Sequence, residues 1–337
     1  KVYERCLNAG EYVATTRSAP YGPLHWWASD PWKPTPVEEG IQEDLRVRFE
    51  RYLPDPLPDN SKLTEYGEIG VRREGIHQRV PISIMQQIKT VEELREYPWP
   101  DWDQPWRWTG LKERVAEDKE RGRLVIGVTH GPVFGRAQAL RGAEQLLVDF
   151  ATDSPMAHFL VERLTQIEVV RCRQLAGLGI DMLGLGDDIG SSHGLMMSPD
   201  TWRKWLKPGI AAMMEEARGI DPDIIGAYHS DGDISEIISD LIDLGIRQIN
   251  PVEPEIANMN PERLKRNYGR NLVLNGTMST GTLIRGSISD VREEVISRMN
   301  TAKKHGGVVI RPCSMPVEMS LENLSVFLET AEKECVA

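Results

Sequence analysis

The feature that most limits how this chain can fold is a rhythm that begins near residue 123 and runs to the end. Short apolar runs rich in β-branched residues alternate with longer stretches of helix formers. RLVIGVTHG (123–131) reads as a strand, and much of 133–176 reads as helix. GIDMLGLGDDIG (179–190) is a strand, and 198–219 is a capped helix that must accommodate Pro208. The strands DIIGAYHSDG, IRQINPVEP, NLVLNGTMS and GVVIRPCSMP follow, each with a helix behind it, the last helix starting at Ser320. Strands separated by helices pair in parallel through crossovers. With a strand expected at 23–29 and an eighth among residues 140–152 or in the N-terminal region, the pattern predicts an α/β fold, an eight-stranded (β/α)8 TIM barrel. An open doubly wound sheet is the rival, but no GxGxxG follows the first strand and no GxxxxGK[ST] occurs.

The whole chain of 337 residues is expected to be one barrel domain. Residues 1–115 form a Trp/Pro-rich elaboration that includes the first strand, and 116–337 form the regular units. Seven of the nine tryptophans fall in the first part, among segments such as YLPDPLPDN and YPWPDWDQPW. A helix over 2–15, a hairpin over 63–83 and a threonine-capped helix over 90–97 are predicted there. The formal charge of −11, without a basic tract, argues against nucleic acid as the partner. No apolar run approaches membrane-span length, and the first residues have no signal-peptide core. Cys6, Cys172, Cys313 and Cys335 show no CxxC spacing, which suits a reduced, cytoplasmic protein.

In a barrel the C-terminal strand ends share one mouth, where catalytic groups gather. Six successive predicted strands carry polar groups there: His130; Asp187 and Asp188, with His193 in the loop beyond; His229, Asp231 and Asp233; Asn250 and Glu253; Asn275 and Thr277; Arg311 and Cys313. Trp26 and Trp27 end the expected first strand, where one ring of an alternating pair faces the mouth. His229-x-Asp231 puts imidazole and carboxylate on one strand face, because the strand period is two. With Cys313 they form a zinc donor set that leaves a fourth position for water or substrate. The plainer alternative is a hydrogen-bonded His–Asp pair beside an inert buried cysteine. Trp202 and Trp205, on a helix, are expected to be packing residues.

Several stretches resemble the uroporphyrinogen decarboxylase superfamily: GDDIGSSHGLMMSPDTWRKWLKP, AYHSDGDISEIISDLIDLGIRQINPVEPE, LVLNGTMST and VVIRPCSMPVEMSLENLSVFLE, with EELREYPWPDWD upstream. The family's fold is an α/β barrel, and a homodimer is what the family implies. Members that decarboxylate the tetrapyrrole carry an arginine-rich RQAGR stretch near the N-terminus. This chain has RSAPYGPLHWW instead, which cannot grip eight carboxylates. The resemblance therefore points to the corrinoid-dependent methyltransferase branch. Its thiol-methylating members hold zinc by His-x-Cys on one strand and a later Cys. Here His229 and Cys313 match, and Asp231 replaces the middle thiolate.

That replacement points to demethylation of a small methoxylated, aromatic compound. The methyl acceptor would be a cob(I)alamin-carrying corrinoid protein, separate because the chain lacks a DxHxxG corrinoid motif. In this reading zinc is held by His229, Asp231 and Cys313. Glu253, Asp187 and Asp188 are the catalytic carboxylates. Trp26, Trp27, His130, His193, Asn275 and Arg311 meet the substrate. The rival readings are a decarboxylase or lyase acting on a small carboxylic acid, a methylcorrinoid:thiol methyltransferase, and a non-catalytic binding barrel.

Overall fold

The computed structural model describes residues 36–59, 61–71, 80–129, 131–314 and 320–336. The helix expected over 2–15, the strand at 23–29 with Trp26 and Trp27, and His130 lie outside the described residues.

Helix α1 (Pro36–Phe49) precedes a small antiparallel sheet of β1 (Ser61–Leu63), β2 (Ile69–Val71) and β3 (Val80–Ile82). The hairpin expected over 63–83 is thus part of a three-stranded meander. Helix α2 (Val91–Arg95) starts with a capping box: the Thr90 hydroxyl accepts from the Glu93 amide, and the Glu93 carboxylate accepts from the Thr90 amide. Helix α3 (Leu111–Glu120) leads into the regular part.

Two of the N-terminal tryptophans are packing residues with a polar task. Trp102 and Trp108 are buried, and Trp102 Nε1 donates to the Tyr66 hydroxyl at 2.9 Å. That hydroxyl donates in turn to Glu168 at 2.5 Å. Arg107 donates from both terminal nitrogens to Glu65, at 2.9 and 2.5 Å, with both side chains buried. Buried polar groups need partners of this kind; the Tyr66–Glu168 bond ties the N-terminal elaboration to the body of the protein, and the Arg107–Glu65 pair braces the elaboration internally.

The body carries β4 (Ile126–Val128), β5 (Met182–Gly186), the hairpin β6 (Gly190–Ser191) and β7 (Gly194–Leu195), and then β8 (Ile225–His229), β9 (Ile246–Asn250), β10 (Val273–Asn275) and β11 (Val308–Val309). The crossovers from β4 to β5 are α4 (Phe134–Arg141), α5 (Ala143–Ala151) and α6 (Pro155–Gly177). Those from β5 to β8 are α7 (Pro199–Trp205) and α8 (Lys207–Ile220). Helices α9 (Ile238–Asp243) and α10 (Pro261–Tyr268) connect the next two pairs; α11 (Thr280–Arg285) and α12 (Ile288–His305) join β10 to β11, and α13 (Leu321–Val336) ends the chain. The six main strands form a parallel sheet in the order β11-β10-β9-β8-β5-β4. The fold is α/β, of the TIM-barrel type, with these six parallel strands among the described residues. All of β5 is buried, as expected of a strand covered on both faces.

Two expectations change. Residues 140–152 hold no strand: they span the end of α4 and the whole of α5. Leu146 and Phe150, four apart, are buried while Val148 between them is 49% exposed. Alternation would have put all three on one face, so the helical period won. The helix expected over 198–219 is two helices that meet at Leu206, with Pro208 in the first turn of α8, where its missing N–H leaves no intrahelical bond unmade. Trp202 and Trp205 are buried, as packing residues should be.

Because the sheet is parallel, β5, β8, β9 and β10 all end at one edge. Gly186, at the tip of β5, pairs with His229 at the tip of β8. Its φ of +147° suits glycine, and a Cβ there would run into the His229 backbone. This close approach brings the loops after β5 and β8 together over the same spot.

Candidate functional site

The loops after β5 and β8 interlock. The Ser230 hydroxyl accepts from the Ile189 and Gly190 amides at 3.1 and 3.3 Å, and the Asp233 amide donates to the Ser191 carbonyl at 2.8 Å. Gly232, at φ +81°, packs its Cα against Gly190 and Ser191, where a side chain would collide with backbone. Two carboxylates from the neighbouring strands fix the same turn. Asp188 Oδ1 accepts from the Asp231 amide at 3.1 Å, and Glu253 Oε2 accepts from the Gly232 amide at 2.7 Å.

This scaffold gathers three side chains. His229 Nε2 lies 3.4 Å from Asp188 Oδ1 and 3.9 Å from Asp231 Oδ1. One ligand atom from each of Asp188, His229 and Asp231 falls within 4.8 Å of the others. His229 is a quarter exposed, and both carboxylates open to solvent. On the far side of the ring, Asn250 Nδ2 stands 3.1 Å from His229 Nδ1. Asn250 is the residue opposite His229 on β9, so strand register alone places the amide beside the imidazole. Burial and the neighbouring Asp188 raise the Asp231 carboxyl above its ordinary value, while His229 opposes the rise.

A cavity of 370 Å³ adjoins the cluster, lined by Asp231, Glu253, Glu255 and Cys313 together with Ser191, Thr280 and other small or apolar groups. Burial raises the Glu253 carboxyl, with help from Asp231, Glu255 and Asp188; the Gly232 amide pulls the other way. Glu255 accepts from the Ser279 hydroxyl. Among the described residues, no lysine or arginine lines this cavity.

The expected site residues divide as follows. His229, Asp231 and Asp188 come together, but Asp188 stands where a cysteine was expected. The Cys313 thiol lines the cavity without joining the cluster: its Sγ donates toward the carbonyls of Gly276 and Val252, at 3.1 and 3.5 Å. Burial and the nearby Glu255 and Glu253 push that thiol far above its ordinary value. Asp187 turns inward, away from Asp188, as adjacent residues on extended backbone do. It is 4% exposed and accepts from the amides of Gly135 and Val133, at 2.7 and 3.4 Å, at the start of α4. Burial pushes its carboxyl up to about 6, against the pull of those amides and of Arg136. Its place in the structure is that of a buried helix cap. His193 is exposed in the β6–β7 turn, its Nδ1 2.9 Å from the Ser192 hydroxyl. Asn275 and Arg311 engage each other: Arg311 Nε donates to Asn275 Oδ1 at 2.7 Å. Glu255 escaped the sequence reading, although Glu253-x-Glu255 repeats the spacing of His229-x-Asp231 one strand later.

The donor chemistry suits a divalent cation: an imidazole and two carboxylates at one mouth are ligands for borderline and hard metals.

Comparison with known proteins then decides the family. The family model described as uroporphyrinogen decarboxylase (URO-D) matches residues 75–334. The chain belongs to the uroporphyrinogen decarboxylase family. A search of curated proteins gives no match. Among solved structures, a methyltransferase from Methanosarcina mazei superposes with a TM-score of 0.55 at 17% identity, over 88% of this chain and 85% of its own. At that identity the likeness shows the fold. A GH10 endoxylanase retrieved from a sugarcane soil metagenome matches with a TM-score of 0.36 at 11% identity, over 75% of this chain and 79% of its own, and carries no weight. This member of the URO-D family thus keeps the family fold and has a His–Asp–Asp cluster at the mouth of its sheet.

Proposed function

We propose that this URO-D family member is a metal-dependent methyltransferase. Its methyl donor would be a small methoxylated, aromatic compound, and its acceptor a cob(I)alamin-carrying corrinoid protein. The observation that carries the reading is the convergence of Asp188, His229 and Asp231 at the C-terminal edge of the sheet, beside a cavity of 370 Å³. The solved structure whose fold this chain shares is a methyltransferase, and the reaction class is proposed by that analogy of fold.

Breaking a methyl ether leaves the bonding electron pair on oxygen, so the site must stabilise that charge and supply a proton. Asp188, His229 and Asp231 would hold a zinc or similar ion, which when bound would supply Lewis acidity for the oxygen. Glu253 is proposed to hold the proton. It lines the cavity, its carboxyl is raised above the ordinary range, and its bond to the Gly232 amide fixes its position. Ile256 gives the cavity an apolar wall, and Ser191 and Thr280 offer hydroxyls to a polar substituent. Trp26, Trp27 and His130 are proposed to complete the substrate walls. The acidic lining weighs against a small carboxylic acid as substrate, because such an acid would meet Asp231, Glu253 and Glu255.

The test uses purified protein with a reduced corrinoid protein and a panel of methoxylated aromatics. Formation of the methylated corrinoid is followed by absorbance and the demethylated phenol by chromatography. Turnover that His229→Ala abolishes supports the proposal. Turnover unaffected by His229→Ala, or carbon dioxide release from small acids without any corrinoid, overturns it.

A further inference from the structure

The next step rests on the metal-using reading above and concerns how this chain holds the ion. We infer that the cation is bound by nitrogen and oxygen alone, through His229, Asp188 and Asp231, with Asn250 as the positioning residue that sets the His229 tautomer and with Cys313 outside the ligand set.

The distances within the cluster fit one ion. Ligand atoms about 2.1 Å from a shared cation stand about 3.0 Å apart in octahedral and about 3.4 Å apart in tetrahedral arrangement. His229 Nε2 is 3.4 Å from Asp188 Oδ1 and 3.9 Å from Asp231 Oδ1, so little movement is needed to bring the three onto one centre. Asp188 is already held there by the Asp231 amide, and the glycine at 186 lets β5 and β8 approach closely enough for this.

Cys313 is committed elsewhere. Its thiol faces two main-chain carbonyls, those of Gly276 and Val252. A sulfur that donates its proton to carbonyls is a thiol, and the metal ligand is the thiolate. To join the cluster it would have to leave both acceptors and lose that proton beside Glu253 and Glu255, which line the same cavity. The resulting donor set is oxygen-rich, suited to zinc, cobalt(II), iron(II) or manganese(II) rather than to soft ions that need sulfur.

Asn250 decides whether the imidazole can serve. In the orientation that sets the amide nitrogen 3.1 Å from Nδ1, a neutral ring would carry its proton on Nε2 and point a hydrogen at the carboxylates. A half-turn of the amide presents Oδ1 to Nδ1 instead. Nδ1–H then donates to that oxygen, and the Nε2 lone pair faces Asp188 and Asp231. Metal uptake selects this second arrangement, the usual outer-sphere partnership of a ligating histidine. Asp188 and Asp231 also face the imidazole, at 3.4 and 3.9 Å from Nε2, and a cation would satisfy both.

The experiment is equilibrium metal binding to the full chain, stripped by chelation and titrated with Zn²⁺ and with Co²⁺. The affinity and the cobalt spectrum are recorded for wild type, C313S, D188N, N250D and N250L. Circular dichroism melts of each variant establish that it is folded. The expected results are binding of one ion without a sulfur-to-cobalt charge-transfer band, and affinity unchanged in C313S. D188N should weaken binding by tenfold or more. N250L should lose about 10- to 100-fold, while N250D, an obligate acceptor for Nδ1–H, should retain wild-type affinity. A charge-transfer band that C313S removes, equal losses in N250D and N250L, or no binding to the wild type overturns the inference. None of these readings uses methyl transfer. A protein that binds metal in this way yet transfers no methyl group would refute the proposed function and leave the ligand set intact.

Discussion

Replacing Asp187 with asparagine isolates the cost of one buried carboxylate and leaves its hydrogen bonds largely in place. Asp187 is 4% exposed and accepts from the Gly135 amide at 2.7 Å. An asparagine Oδ1 can accept the same bond. Burial raises the Asp187 carboxyl from 3.8 to about 6 in the folded protein, whereas the unfolded chain titrates at about 3.9. Between these values the folded state binds the proton more tightly than the unfolded state. The stability contributed by this proton is therefore fully present below about pH 4 and is lost as pH rises through about 6. A gap of about two pH units corresponds to about 3 kcal/mol. Urea unfolding of wild type and D187N, measured at intervals from pH 4 to pH 7.5, gives the difference directly. The stability of wild type minus that of D187N should fall by about 3 kcal/mol across the range. Two curves that stay parallel would show that Asp187 titrates alike in both states, and the assignment of its burial as the dominant effect would be wrong.

Other perturbations test other joints of the structure. Arg107→Met leaves the buried Glu65 carboxylate without its bidentate partner and should lower unfolding stability by about 3–5 kcal/mol; a loss under 1 kcal/mol by denaturant titration would mean that the pair matters no more than a surface one. Gly186→Ala places a methyl group against the His229 backbone at a φ of +147° and should cost at least about 2 kcal/mol in the same assay, with loss of metal binding in parallel. Unchanged stability would contradict the close approach of β5 and β8. Glu253→Gln keeps an acceptor for the Gly232 amide, so its melting temperature should hold while turnover falls by about 10²- to 10⁴-fold. Normal turnover would remove Glu253 from the role of proton donor.

Much of this arrangement was legible in the chain because it depends on period and order. The β/α alternation after residue 123 fixes a parallel sheet, and a parallel sheet brings its strand tips to one edge, so His229 and Asp231 are expected at the mouth, with Asp187, Asp188 and Cys313 at the same level. What alternation could not convey is direction. Asp187 and Asp188 are equivalent as letters, yet one turns inward to cap α4 and the other turns outward to the cluster. Cys313 sits on the expected level, but the carbonyls of Gly276 and Val252 draw its thiol aside. That choice depends on neighbours remote in sequence. Residues 140–152 are apolar enough for a strand; only the packing of Leu146 and Phe150 on one helical face distinguishes the alternatives. Glu255 is readable from its two-residue spacing to Glu253, and Asn250 stands at its strand tip in the sequence, but its place opposite His229 depends on the β8–β9 register.

The most direct test of the central claim is anomalous X-ray diffraction from crystals of the full chain grown with zinc, collected on either side of the zinc absorption edge. A single anomalous peak in contact with His229 Nε2 and with carboxylate oxygens of Asp188 and Asp231 is the expected result. A peak bonded to the Cys313 sulfur, or no peak among these three side chains at saturating zinc, would contradict it.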